Sequence, residues 1–227
     1  SHLIGYRRVR ELIVENTLSL IEGRPANNIL LYGDRGTGKS TTVKALLNEF
    51  GDRGLRMIQL TCDQLFSLPD LINTLENRRN VFILFIDDLS FSSESAGYTA
   101  LKSILEGGLS AKPSNVAIYA TSNRRHLIGQ QFSQRNDDVH SEDTLQEKLS
   151  LADRFGITVT FSTPSQEQYI EIVFGLLEQR GLEFEREKVR AEAIRWEMRQ
   201  NGLSPRTARQ FADWMEPRLK PQNAPKN

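Results

Sequence analysis

The chain has 227 residues, and lysine plus arginine equal aspartate plus glutamate at 29 each, so its formal net charge is zero. That length holds one large α/β domain, or a domain with a small satellite, and the zero balance gives no overall electrostatic attraction to nucleic acid or to a membrane surface. Cys62 is the only cysteine, which excludes an intrachain disulfide and a cysteine-built zinc cage and accords with a reducing cytoplasm.

No apolar run reaches the roughly 18 residues that a spanning helix needs, and no signal peptide stands out. The opening SHLIGYRRVRELIV reads as the start of an excised segment, with Ser1 and His2 as a cloning scar. Apolar periodicity then predicts strands at 29–33, 56–60, 81–86, 116–121 and 157–161, with helices at 39–50, 69–78, 97–106 and 144–151. The third run, VFILFI, is apolar on both faces, as a central strand of a covered parallel sheet should be. Alternation of this kind implies a five-stranded parallel sheet with helices on both faces. Residues 129–143, GQQFSQRNDDVHSED, are polar and aperiodic and read as a long exposed loop.

After Phe161 the pattern is helical only. Thr163, Pro164 and Gln166 suggest a helix start with a threonine cap, and Tyr169, Ile172, Val173, Leu176 and Leu177 form its apolar stripe up to Gly181. A second helix at about 186–200 carries Val189, Ala193 and Trp196, and a third, from Ser204-Pro205, carries Ala208, Phe211 and Met215. The expected organisation is an α/β domain over 1–162, a small all-α domain over 163–220, and a fraying tail at 221–227.

Gly33-Asp34-Arg35-Gly36-Thr37-Gly38-Lys39-Ser40 fits the phosphate-loop pattern completely, after a strand and at the opening of a helix. Glycines let backbone N–H groups turn inward as a nest for phosphate, and the helix N-terminus adds partial positive charge. Lys39 is expected at the β- and γ-phosphates and Ser40 on magnesium; Thr41 closes the set of candidate nucleotide-binding residues. The bland alternative is a glycine turn with a surface lysine.

A magnesium nucleotide also needs a carboxylate at the end of a neighbouring strand, and VFILFIDD supplies Asp87 and Asp88. Asp87 is the candidate for the metal, and Asp88 for orienting or deprotonating the attacking water. Strand-end capping is the alternative for both. Asn123, closing ATSN, stands at the carboxyl end of the next strand, where ligands bind in such sheets and an amide can position the attacking water between γ-phosphate and acidic residue; an asparagine there is otherwise a turn former. Arg154 in LADRFG and Arg206 in LSPRTARQF have the always-charged fork that suits phosphate. By spacing alone, a surface salt bridge is the better reading of each.

Taken in order, GDRGTGKS, ILFIDD, ATSNRR, LADRFG and LSPRTARQF resemble the Walker A, Walker B, sensor 1, arginine-finger and sensor 2 motifs of the AAA+ ATPases. The resemblance runs from the first helix to the C-terminal helices. It is closer still to a bacterial AAA+ family of unassigned function, through LLYGDRGTGKSTTVKALLNEF, EGGLSAKPSNVAIYATSNRRHLI and DTLQEKLSLADRFG. The arginine turns are also similar to those of replication initiators and branch-migration motors.

This resemblance implies a P-loop NTPase α/β fold with an α-helical lid, ATP or ADP with Mg2+ as ligands, and a homo-oligomer joined through the arginine-finger face. It implies that Arg154 reaches a neighbour's γ-phosphate, that Arg206 contacts nucleotide from the lid of its own subunit, and that residues around Ile4 and Gly5 line the adenine pocket. Two departures stand out. Asp88 replaces the common glutamate, which bears on the rate of hydrolysis, and TCDQLFSLPDLINTLENRRN lacks the aromatic–hydrophobic–glycine trio of unfoldase pore loops, leaving Phe66 to read as core.

The leading expectation is therefore an ATP-hydrolysing module that acts on an unknown macromolecule. A nucleotide-dependent assembly switch with little turnover is the second reading, and a small-molecule kinase a weaker third. Action on DNA rests on analogy alone, since the NRRN and SNRRH pairs are too short to make a nucleic-acid track.

Overall fold

The computed structural model describes residues 7–90, 96–107, 112–123, 151–200 and 202–220. Ile4, Gly5, the 129–143 loop, the helix expected from 144 as far as 150, and the 221–227 tail lie outside the described residues. The chain divides into two compact units, one made of 8–33 with 39–161, the other of 34–38 with the residues from 162 onward.

In the α/β unit, α1 (Arg7–Ile21) leads to β1 (Ile29–Gly33), α2 (Lys39–Phe50), β2 (Leu55–Leu60), α3 (Leu68–Leu75), β3 (Val81–Ile86), α4 (Ala96–Leu105), β4 (Val116–Ser122) and β5 (Ile157–Phe161). The five strands form one sheet in the order β2-β3-β4-β1-β5, and every pairing is parallel. All seven residues of β4 are buried, as are five of the six in β3, so the central strands are covered on both faces. Helices α3 and α4 close one core, in which Leu68, Ile72, Leu101 and Ile104 pack with Leu84, Ile86 and Ile118.

Helix α1 buries Ile13, Asn16, Thr17 and Leu20, one stripe at helical spacing, yet two of its four members are polar. Tyr119 in β4 explains them. Asn16 Nδ2 donates to its hydroxyl at 3.0 Å and Thr17 Oγ1 lies 2.9 Å from it. Asn16 also exchanges two 2.9 Å hydrogen bonds with the backbone of Asn27. Burial raises the Tyr119 pKa, against smaller opposing contributions from Thr17 and Asn16. The network pins α1 and the approach to β1 onto the middle of the sheet.

The helical unit contains α5 (Gln166–Gln179), α6 (Arg186–Arg199) and α7 (Pro205–Leu219). Tyr169, Ile172, Val173 and Leu177 meet Val189, Ala193, Ala208, Phe211 and Met215 in its core, and Trp196, half-buried, packs against Phe211 and Trp214. The cap of α5 differs from the expectation. Ser165, not Thr163, is the N-cap, because its hydroxyl accepts from the Gln168 N–H while the Gln168 side chain accepts from Ser165 N. Thr163 is occupied elsewhere, as described below. Phe66 is also corrected: it is 66% exposed. It lies in a 3-10 turn (Cys62–Ser67) whose three-residue period turns Leu65 and Leu68 inward and leaves Phe66 outside.

Candidate functional site

In the α/β unit, the carboxyl ends of β1, β3 and β4 carry the polar residues that the sequence singles out. The strand order reverses at β1, which in open parallel sheets is where ligands bind. Helix α2 starts there with Lys39, only 5% exposed, whose ammonium donates to the Gly33 carbonyl at 2.7 Å. Ser40 follows, and its Oγ donates to Asp87 Oδ1 at 2.6 Å. One helical turn on, Lys44 Nζ stands 3.7 Å from the other oxygen, Asp87 Oδ2, and 5.7 Å from the centre of the Phe85 ring. The half-buried Asp87 carboxylate is thus held from two successive turns of α2.

The end of β4 completes this cluster. The β3–β4 ladder closes at Ile86 and Ala120, and beyond it Thr121 takes over with its side chain. Thr121 Oγ1 donates to Asp87 Oδ1 at 2.8 Å and accepts from Asp88 N at 3.0 Å, while its carbonyl accepts from Leu89 N at 2.6 Å. Asp88 has φ of 58°, the only positive value at a non-glycine among the described residues. Aspartate tolerates that region better than most residues, though at some cost. Its exposed carboxylate accepts from Asn123 Nδ2 at 2.6 Å. Ser40, Asp87, Asp88 and Asn123 are therefore brought into one hydrogen-bonded group.

Gly33 has a structural duty apart from any phosphate. Its φ is 139°, and a Cβ there would lie 2.0 Å from the Phe161 carbonyl oxygen on β5. Only glycine fits beside that strand.

Residues 34–38 of the glycine loop are organised within the helical unit. Thr37, 1% exposed, donates from Oγ1 to the Asp34 carbonyl at 2.8 Å and closes the turn. Thr163 Oγ1 donates to Asp34 Oδ2 at 2.6 Å, and the Arg206 N–H donates to the Gly36 carbonyl at 3.3 Å. A Cβ at Gly36 would lie 3.2 Å from the Ser204 hydroxyl and 3.4 Å from the Arg206 Cβ, a tight contact at the capped start of α7, and its φ of 80° favours glycine. The Arg206 side chain itself is exposed.

The Arg154 side chain is 25% exposed. Its guanidinium pairs with Glu106 Oε1 at 2.6 Å, just past the end of α4, which is the salt bridge that spacing alone favoured. Three participants escaped the sequence reading: Thr121, Thr163 and Glu106. Thr121 was the most accessible of them, since it shares a strand face with Asn123 two residues away. The other two depend on contacts between distant segments. No described helix is long and apolar enough to cross a membrane.

The family described as "Protein of unknown function (DUF815)" matches residues 1–219. No curated protein matches the chain in sequence. Among solved structures, a RuvB point mutant from Thermotoga maritima is similar with a TM-score of 0.61 at 17% identity, over 95% of this chain and 64% of that one. ORC1 from Aeropyrum pernix, solved in complex with DNA, gives 0.59 at 16% identity, over 95% and 61%. ORC2 from the same organism, solved as ADPNP–ADP complexes, gives 0.57 at 11% identity, over 94% and 68%. The chain spans less than two thirds of the length of the RuvB and ORC1 chains. At these identities the likeness is one of fold.

Proposed function

Because the chain belongs to the DUF815 family and has the AAA+ P-loop fold, we propose that it binds ATP and hydrolyses it with magnesium, in an oligomer where Arg154 of one copy reaches the γ-phosphate held by the next. The observation that carries this reading is the 2.6 Å hydrogen bond from Ser40 to Asp87, which places a loop hydroxyl and a strand-end carboxylate side by side. Hydroxyl and carboxylate oxygens are the ligand types magnesium takes alongside phosphate, so the residues present fit the ion. Magnesium, when bound, would neutralise charge building on the phosphate oxygens.

The chain's own groups then have distinct duties. Lys39, already buried at the start of α2, would hold the β- and γ-phosphates, with the backbone of Gly33, Asp34, Arg35, Gly36, Thr37 and Gly38 around them and Thr41 beside Ser40. Ile4 and Gly5 would border the adenine, and Arg206 would close on the nucleotide of its own subunit. Asn123 orients the Asp88 carboxylate, which would take the proton of the attacking water. An arginine supplied by a neighbour can be worth roughly 10³ to 10⁵ in related phosphoryl-transfer sites, so an isolated copy should be a poor catalyst.

The assembly would act on a macromolecular partner in the cytoplasm. RuvB is described as a Holliday junction branch migration motor and ORC1 was solved with DNA. Nucleic acid is therefore one class to test, although the zero net charge does not favour it. A second reading, an assembly switch with little turnover, is favoured by two contacts. Asp88 has a short side chain already engaged by Asn123, and Arg154 is paired within its own chain.

Hydrolysis of MgATP measured over a protein concentration series tests both. The proposal expects a rate per chain that climbs with concentration, stays low throughout in Arg154→Ala, and vanishes in Lys39→Ala. A rate per chain independent of concentration and indifferent to Arg154→Ala would sink it. A change of oligomeric size between ADP and a non-hydrolysable ATP analogue, with negligible turnover, would instead establish the switch.

A further inference from the structure

We propose that Thr121 is a positioning residue that locks the metal carboxylate and the water-facing carboxylate into one rigid unit; the inference rests on the nucleotide reading above. Thr121 is 2% exposed, at the next-to-last residue of β4. A hydroxyl has one proton to give and lone pairs to receive with, and here both capacities are used on neighbouring residues of a single turn. The proton goes to Asp87 Oδ1 at 2.8 Å, and the oxygen receives the Asp88 N–H at 3.0 Å. The Thr121 carbonyl then receives the Leu89 N–H at 2.6 Å. Three consecutive residues after β3 are therefore fixed by one residue of β4.

Two consequences follow from the direction of these bonds. Asp87 Oδ1 is shared between the Ser40 and Thr121 hydroxyls. When Ser40 turns to a cation, Thr121 is the donor that remains on Oδ1, while the Lys44 ammonium stands 3.7 Å from Oδ2 on the other side. Asp88 sits at φ 58°, a conformation that a non-glycine residue holds only when its surroundings impose it. The Thr121 oxygen supplies that constraint at the Asp88 N–H, and Asn123 then sets the direction of the Asp88 side chain. Thr121 touches neither phosphate nor water on this account. It acts through the two aspartates, as groups behind metal ligands generally do, and loss of such a group changes metal affinity by roughly 10- to 100-fold.

Threonine to valine keeps the shape and removes both hydrogen bonds, whereas serine keeps the hydroxyl. The experiment compares wild type, Thr121→Val and Thr121→Ser in full-length protein. Fluorescent ATP binding is titrated with Mg2+, repeated in EDTA, and paired with amide hydrogen exchange at Asp88 and Leu89 in the ligand-free chain. The expected result is a rise of about tenfold or more in the Mg2+ needed by Thr121→Val. Binding in EDTA should be unchanged, the Asp88 amide should exchange faster, and Thr121→Ser should return to within about threefold of wild type. A merely structural role would lower binding equally with and without Mg2+. An unchanged Mg2+ requirement in Thr121→Val, or a Thr121→Ser variant as impaired as the valine, overturns the proposal. If wild type binds no ATP under either condition, the nucleotide reading fails. The exchange arm still decides Thr121: a protected Asp88 amide in the valine variant overturns the positioning role, and its loss of protection with recovery in serine upholds it.

Discussion

Replacing Glu106 by glutamine should lower the protein concentration at which ATP turnover sets in. Arg154 lies 2.6 Å from Glu106, with side chains 25% and 41% exposed. An ion pair this open to solvent contributes ~0.2–1 kcal/mol. To reach a neighbour's phosphate, Arg154 has to leave this partner, so the pair opposes each productive subunit contact by that amount. Glutamine keeps the length and the acceptor oxygen but removes the charge. The half-maximal protein concentration should therefore fall ~1.4- to 5-fold. The assay is steady-state hydrolysis against protein concentration at low salt, repeated at high salt, where screening should shrink the difference between the two proteins. Arg154→Ala, run beside them, should stay flat. Superimposable curves for wild type and Glu106→Gln, with Arg154→Ala flat, would refute the idea that Glu106 restrains the arginine. An Arg154→Ala curve identical to wild type would remove the neighbour-supplied arginine altogether.

Two further predictions concern stability. Asn16→Ala removes a buried amide with three hydrogen bonds to Asn27 and Tyr119, and should cost ~2–4 kcal/mol in urea unfolding of the α/β unit. Tyr119→Phe, which spares the Asn27 bonds, should cost about half as much, and a loss under ~1 kcal/mol for Asn16→Ala would show that the network is dispensable. Burial depresses the Lys112 ammonium from 10.5 to about 8, with its Nζ donating to the Ala26 carbonyl at 3.3 Å. Between those two values the unfolded chain holds the proton more firmly, so this residue makes stability rise with pH across that window. Lys112→Met should accordingly stabilise the protein at neutral pH by up to ~3 kcal/mol, a gain that disappears near pH 10.5. Denaturant midpoints measured from pH 7 upward check the sign.

The strands were legible because buried parallel strands are short and largely apolar, and VFILFI and VAIYAT have no charged residue to pull them out of the sheet. The glycine loop was legible because its chemistry is local. Thr163 and Ser165 show where local reading stops. The local pattern points to Thr163 as the cap, but Asp34, far away in sequence, takes the Thr163 hydroxyl, and Ser165 caps the helix. Asn16 and Thr17 look like defects in an apolar stripe until Tyr119 arrives from a strand about a hundred residues later. Phe66 misled because it read as core for want of a pore-loop trio around it, whereas the 3-10 period turns it outward.

The aromatic cluster of the helical unit has a practical consequence. The chain's two tryptophans are Trp196 and Trp214, with ring centres 5.2 Å apart and the Arg218 guanidinium 3.8 Å over Trp214. Light absorbed selectively by indole therefore excites α6 and α7 and nothing in the sheet. Emission of this wild-type chain is a built-in optical reporter of one unit. Its melting curve, set against far-ultraviolet circular dichroism of the whole chain, shows whether the two units unfold in one step or two.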